Sequence, residues 1–256
     1  MLPITGSAPR RLAALALASL SLGAASARDR QPDPHQGPVP FGVGERLEYD
    51  VSFGRLHVGS GEMSVLGVDT LDGHPLWHAL LAVSGGIPLF RVRDSTMSWF
   101  DSAFVSRRFV QYINEGRYHV RRDFVIDPEQ RIYVKNNETP TASSADPLDD
   151  VSIIYFVRTL PLADGDRYEL QRYFQPEGNP VVIKVIRREQ VTVPAGTFPA
   201  ILIEPEITTS GIFSQNGRAQ LWFSDDSSRL LLQMKARLQF GSINLYLKRV
   251  TMGRTP

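Results

Sequence analysis

The chain has 256 residues, 42% of them hydrophobic and 21% charged, with a formal net charge of +1 at pH 7 and no cysteine. The near balance of mixed charge gives no global case for nucleic acid or an anionic membrane as partner. Without cysteine there are no disulfides, no thiolate metal sites, no thiol nucleophile and no lipidated cysteine of a bacterial lipoprotein.

Residues 1–27 have the layout of an export signal. Arg10 and Arg11 form a positive start, Leu12 to Ala24 an apolar stretch, and Ala25-Ser26-Ala27 a small-residue cleavage site. A spanning helix needs about twenty apolar residues, whereas charged, proline-rich sequence begins at Arg28. Removing this leader, which carries two arginines and no acid, leaves 229 residues with a net charge of −1. The expected location is therefore exported, periplasmic or envelope-associated. Residues 28–40, with Pro32, Pro34, Pro38 and Pro40, read as a disordered spacer. Residues 41–253 read as a single β domain.

Alternation begins at Arg46. Leu47, Tyr49, Val51 and Phe53 fall on one face, and Arg46, Glu48, Asp50 and Ser52 on the other, as in a half-buried strand. The same period recurs at Ile201-Ile203-Ile207. It returns at Leu230-Leu232-Met234-Ala236-Leu238, opposed by Leu231, Gln233, Lys235 and Arg237, and at Ile243-Leu245-Leu247. Turn signals punctuate the runs: Leu71-Asp72-Gly73, Glu115-Gly116, Asp127-Pro128-Glu129, Pro194-Ala195-Gly196, Asn216-Gly217 and Phe240-Gly241. Many short strands with tight connections predict a mainly β fold, an antiparallel meander forming an open or closed barrel-like sheet. One short helix interrupts it. Asp149 or Asp150 caps a run from Val151 to Arg158 that is apolar nearly all round, so the helix is expected to be buried within the sheet. The polar stretch Asn136–Pro147 before it reads as a mobile loop.

Catalytic motifs are absent. There is no Gly-x-Ser-x-Gly elbow, and Gly59-Ser60-Gly61 lies in a strand pattern, where it suggests a bulge. His74 and His78 sit on a strand, where four residues span about 13 Å, too far for both rings to reach one metal ion. Arg107-Arg108, Arg121-Arg122 and Arg187-Arg188 each point to opposite faces and make no basic stripe. No cofactor, no metal, no nucleic-acid partner and no transmembrane helix after the leader are expected.

Gly85-Gly86-Ile87-Pro88-Leu89-Phe90 and Ser210-Gly211-Ile212-Phe213 place bulky apolar residues in glycine-rich connections. Connections normally lie in water and carry polar residues. Tyr49, Val51, Phe53, Trp99, Leu232 and Met234 are accordingly expected to line a concave apolar surface, with Ile87, Phe90, Ile212 and Phe213 at its rim. Two functions follow. The first is an exported, non-catalytic envelope protein that binds a lipid or other apolar ligand in the concave side of the sheet. The second is a structural or adaptor module that docks on an envelope protein.

Several stretches carry a family resemblance: Phe41-Gly42-Val43-Gly44-Glu45-Arg46-Leu47-Glu48-Tyr49, Asp150 to Arg158, Val193-Pro194-Ala195-Gly196-Thr197-Phe198, and Leu221-Trp222-Phe223-Ser224-Asp225-Asp226. In this order they resemble a bacterial exported family, domain of unknown function 3108. The resemblance implies an envelope-associated β domain and supplies no catalytic residues. The architecture looks like that of periplasmic lipoprotein carriers, open barrels with a helix on the concave side; fold alone does not give function.

Overall fold

A computed structural model of the protein describes residues 28–30, 39–87, 90–207, 219–238 and 241–254. The alternating runs become long strands. In chain order they are β1 (Arg28–Arg30), β2 (Arg46–Phe53), β3 (Leu56–Leu71), β4 (His74–Ile87), β5 (Phe90–Phe100), β6 (Ser106–Glu115), β7 (Tyr118–Asp127), β8 (Ile132–Lys135) and β9 (Thr141–Ala142). The helix α1 (Ser152–Val157) follows, then β10 (Asp166–Leu170), β11 (Val181–Val193), β12 (Gly196–Glu206), β13 (Gln220–Ser224), β14 (Leu231–Leu238) and β15 (Gly241–Thr251).

These strands form one sheet in the order β1-β10-β11-β12-β13-β14-β15-β2-β3-β4-β5-β6-β7-β8-β9. It consists of two antiparallel meanders, β2–β9 and β10–β15, joined where β15 pairs with β2. Arg28–Arg30, expected within a disordered spacer, instead pair in parallel with β10 at one edge. The two outer strands, β1 and β9, do not pair with each other, so the sheet is barrel-like but open.

The segment that links the two meanders fills the inside of the curve. All six residues of α1 are buried, and the five apolar ones share one core with inward residues of both meanders, including Leu47, Tyr49, Met63, Phe109, Ile183 and Leu247. Edge-on ring contacts bind the helix to the sheet: Phe41 to Tyr155 at 4.8 Å and Phe41 to Trp77 at 5.2 Å. Tyr49 reaches across the interior to donate to the Leu231 carbonyl at 2.9 Å.

The Gly59-Ser60-Gly61 signal is explained locally. A register shift falls opposite it, between Val51 and Ser52, and Gly59 lies directly across from Gly85. A Cβ on Gly59 would run into the Ser84 carbonyl, and one on Gly85 into the Val58 carbonyl, so the pair lets β3 and β4 pinch together. The stretch Asn136–Pro147 is not a loose loop. Asn136 accepts from the Asp123 N–H at 2.8 Å, Thr141–Ala142 add the edge strand, and the Ser143 hydroxyl donates to the Phe174 carbonyl at 2.8 Å.

The hairpin connections sort to two ends. The turns between β2 and β3 and between β6 and β7, together with the facing ends of β4 and β5, lie at one end, away from α1; the Gly116 N–H there donates to the Arg91 carbonyl. The connections β3–β4, β5–β6, β7–β8 and β13–β14 lie at the other.

Candidate functional site

Asp149 organises the approach to the helix. Its Oδ1 accepts from the Val151 and Ser152 N–H groups at 2.8 and 2.9 Å, and the Ser152 hydroxyl accepts from the Asp149 N–H at 2.8 Å. This is a reciprocal cap of the helix start. The Ser98 hydroxyl donates to Asp149 Oδ2 at 2.5 Å, and the Ser106 and Ser152 hydroxyls are 2.9 Å apart, so the cap is anchored on β5 and β6. Capping is thus the work of Asp149 alone, and Asp150 is released for another environment.

That environment is a cleft of about 460 Å³ between β6–β8 and the linking segment. Register builds one wall. Phe109 on β6 faces Phe124 on β7, which faces Lys135 on β8, while Gln111 faces Arg122 one step nearer the open end. Asp150, Tyr173, Phe174, Gln175 and Glu177 form the other wall. A parallel bridge between Leu148 and Tyr173 holds this wall, as does Asn179, which accepts from the Tyr173 N–H at 2.8 Å. The floor is aromatic: Phe109–Phe124, Phe124–Phe174 and Tyr133–Phe174 have ring centroids 5.8, 5.1 and 5.5 Å apart.

The cleft's polar groups are distinctive. Burial pushes the Asp150 carboxyl up to about 6, against the hydrogen bond from the Tyr173 hydroxyl, and the nearby Asp149 carboxyl adds to the rise. Tyr173 donates that bond to Asp150 Oδ1 at 2.9 Å. Of the six arginines in adjacent pairs, five are tied to carboxylates: Arg107 to Glu129, Arg108 and Arg121 to Asp123, Arg187 to Glu189, and Arg188 to Asp164 and Asp225. Arg122 differs: its only hydrogen bond among the described residues is a long one, 3.4 Å, to Gln111 Oε1. Lys135, beside it, is 3.7 Å from Glu138. The rings lie almost wholly buried beneath a mainly polar lining of Gln111, Arg122, Lys135, Gln175 and Glu177, so the cleft suits a small molecule with polar groups and only a narrow apolar part.

The residues expected to line the concave surface divide. Tyr49, Val51, Leu232 and Met234 face inward but belong to the packed core around α1. Phe53 is 42% exposed at the open end of β2. Trp99 is on the outer face, contrary to expectation. It packs with Leu76 and Val110 in a separate cluster, stacks on His78 at 4.2 Å, and donates its indole N–H to Asp69 at 2.8 Å. The backbone places Ile87 and Phe90 opposite each other where β4 meets β5; their side chains, and Ile212 and Phe213 entirely, lie outside the described residues. His78 is held by Asp69, with Nδ1 3.0 Å from Oδ2, and is not directed at His74. The cleft residues escaped the sequence reading because they come from five separate places in the chain.

The sequence profile of one family matches residues 48–248. The chain belongs to the family described as protein of unknown function (DUF3108). No curated protein matches it in sequence. Among solved structures it is similar to a beta-barrel-like protein of domain of unknown function DUF1849 from Brucella abortus, with a TM-score of 0.54 and 12% identity over 84% of this chain and 99% of that one. This DUF3108 chain therefore shares a fold with a protein to which it has little sequence likeness. Two more distant structures also align. One is a proposed lipoprotein from Parabacteroides distasonis, with a TM-score of 0.37 and 12% identity over 85% of this chain and 100% of that one. The other is a protein from Bacteroides fragilis described as exported and YmcC-like in fold, with a TM-score of 0.27 and 10% identity over 84% of this chain and 98% of that one.

Proposed function

We propose that this DUF3108 protein is an exported, non-catalytic envelope protein that holds a lipid or similar amphipathic molecule inside its open barrel. The leader-like residues 1–27 support export. The observation that carries the ligand reading is the cleft itself. Its volume, about 460 Å³, is in the usual range for small-molecule sites, about 300–1,000 Å³. The reading differs from a purely apolar lining. The polar head lies toward Arg122, Lys135 and Gln111, and a narrow apolar part meets the exposed edges of the otherwise buried Phe109, Phe124 and Phe174.

An acyl-chain fluorophore titrated into the mature protein tests this. Emission should rise saturably, and Gln111→Trp, which puts a bulky ring into the cleft, should abolish the rise while the far-ultraviolet circular dichroism stays unchanged. Saturable binding that survives this substitution would place the ligand elsewhere. The adaptor reading gains support only if no ligand binds.

A further inference from the structure

We infer that the end of the barrel farthest from α1 docks on a membrane surface bearing anionic lipid. The observation is a coincidence of apolar and basic side chains on the connections at that end. Phe53 and Leu56 flank the β2–β3 turn and are 42% and 60% exposed; Tyr118 follows the β6–β7 turn and is 51% exposed. They account for three of the eight large hydrophobic residues exposed among the described residues. Each turn also presents an exposed arginine, Arg55 in the first and Arg117 in the second, and β5 adds exposed Arg91 and Arg93 beside them.

None of these four arginines has an ion pair among the described residues, unlike most arginines elsewhere on the sheet. The acids nearby are Asp94 and Glu115. They face each other, and burial and Asp94 push the Glu115 carboxyl up; two carboxylates against four arginines leave these connections basic. At the opposite end the turn carboxylates are met by arginines: Glu129 by Arg107, and Asp225 by Arg188 and Arg229. An anionic surface would therefore attract the end that carries the unpaired arginines.

Aromatic and aliphatic tips interleaved with arginine suit a headgroup layer: the rings sit at the interface while the guanidinium groups meet phosphate. The same end is the one toward which Gln111 and Arg122 open. Docking there would set the cleft toward the bilayer, but the inference does not depend on the cleft being occupied.

Cosedimentation of the mature protein with phosphatidylcholine vesicles, with and without phosphatidylglycerol, tests the docking. Binding should require phosphatidylglycerol and fall as salt is raised. Each juxtamembrane arginine removed should weaken binding about fivefold, so Arg55→Gln with Arg117→Gln should weaken it about twenty-fivefold. Leu56→Ser with Tyr118→Ser should weaken it at low salt as well. All four positions are exposed, so the variants should keep the wild-type melting temperature. Two results overturn the inference: wild-type protein that stays in the supernatant with both vesicle types, or binding that Arg55→Gln/Arg117→Gln leaves unchanged. The first would direct the same end toward an acidic protein surface instead.

Discussion

Arg158 at the end of α1 pairs with Glu45 just ahead of β2, 113 residues earlier, through two hydrogen bonds of 2.6 and 2.8 Å. Both side chains are sealed from solvent, at 0% and 1% exposure. The guanidinium also donates to the Pro40 and Ser228 carbonyls at 3.0 Å each and lies over the rings of Phe41 and Tyr155. One side chain thus ties the helix, the start of the first meander and the β13–β14 turn of the second.

Removing one partner of such a pair strands a buried charge. Arg158→Met should therefore cost about 3–5 kcal/mol in urea unfolding. Adding Glu45→Leu to it should recover a substantial part, because the uncompensated carboxylate goes with it. A single variant as stable as the wild type would show that the pair contributes nothing to the fold.

The helix should be equally sensitive to its packing. Ile154 is 1% exposed within the main core. Ile154→Ala should cost about 2–5 kcal/mol, the range for emptying a core site. A cost below about 0.5 kcal/mol is what a surface position would give.

Asp150 gives stability a pH dependence of unusual sign. Its carboxyl is raised from 3.8 to about 6 in the folded protein. Between these values the folded state binds the proton more tightly than the unfolded state, so this group's contribution is fully present below pH 3.8 and is lost as pH rises to about 6. Asp150→Asn should remove that downward slope. The check is a series of urea midpoints across the window for both proteins; parallel curves would mean that Asp150 is not perturbed.

The strand-rich architecture and the buried helix were legible because period-two alternation and an all-round apolar run report burial directly. Face assignments failed where the ladder departs from strict alternation. Trp99 was read as inward, but Ser98 takes the inward position to bond Asp149, and a register shift separates Trp99 from Phe100. Leu231 was read on the polar face of its strand, yet a shift between Trp222 and Phe223 leaves both Leu231 and Leu232 buried. The cleft was not legible because its walls meet only through the pairing of β6, β7 and β8 and the return of Tyr173 to Leu148. The one local signal was a second aspartate beside a helix start that needs only one.

The central claim is that a molecule with a polar head and a narrow apolar part occupies the cleft. Native mass spectrometry of the mature protein, purified from its own envelope fraction without detergent, tests it most directly. The wild-type spectrum should show a second species heavier by the mass of a bound amphiphile, and Gln111→Trp should show only the bare chain. A single bare species for the wild type, unchanged after incubation with phospholipid or fatty acid, would contradict the account.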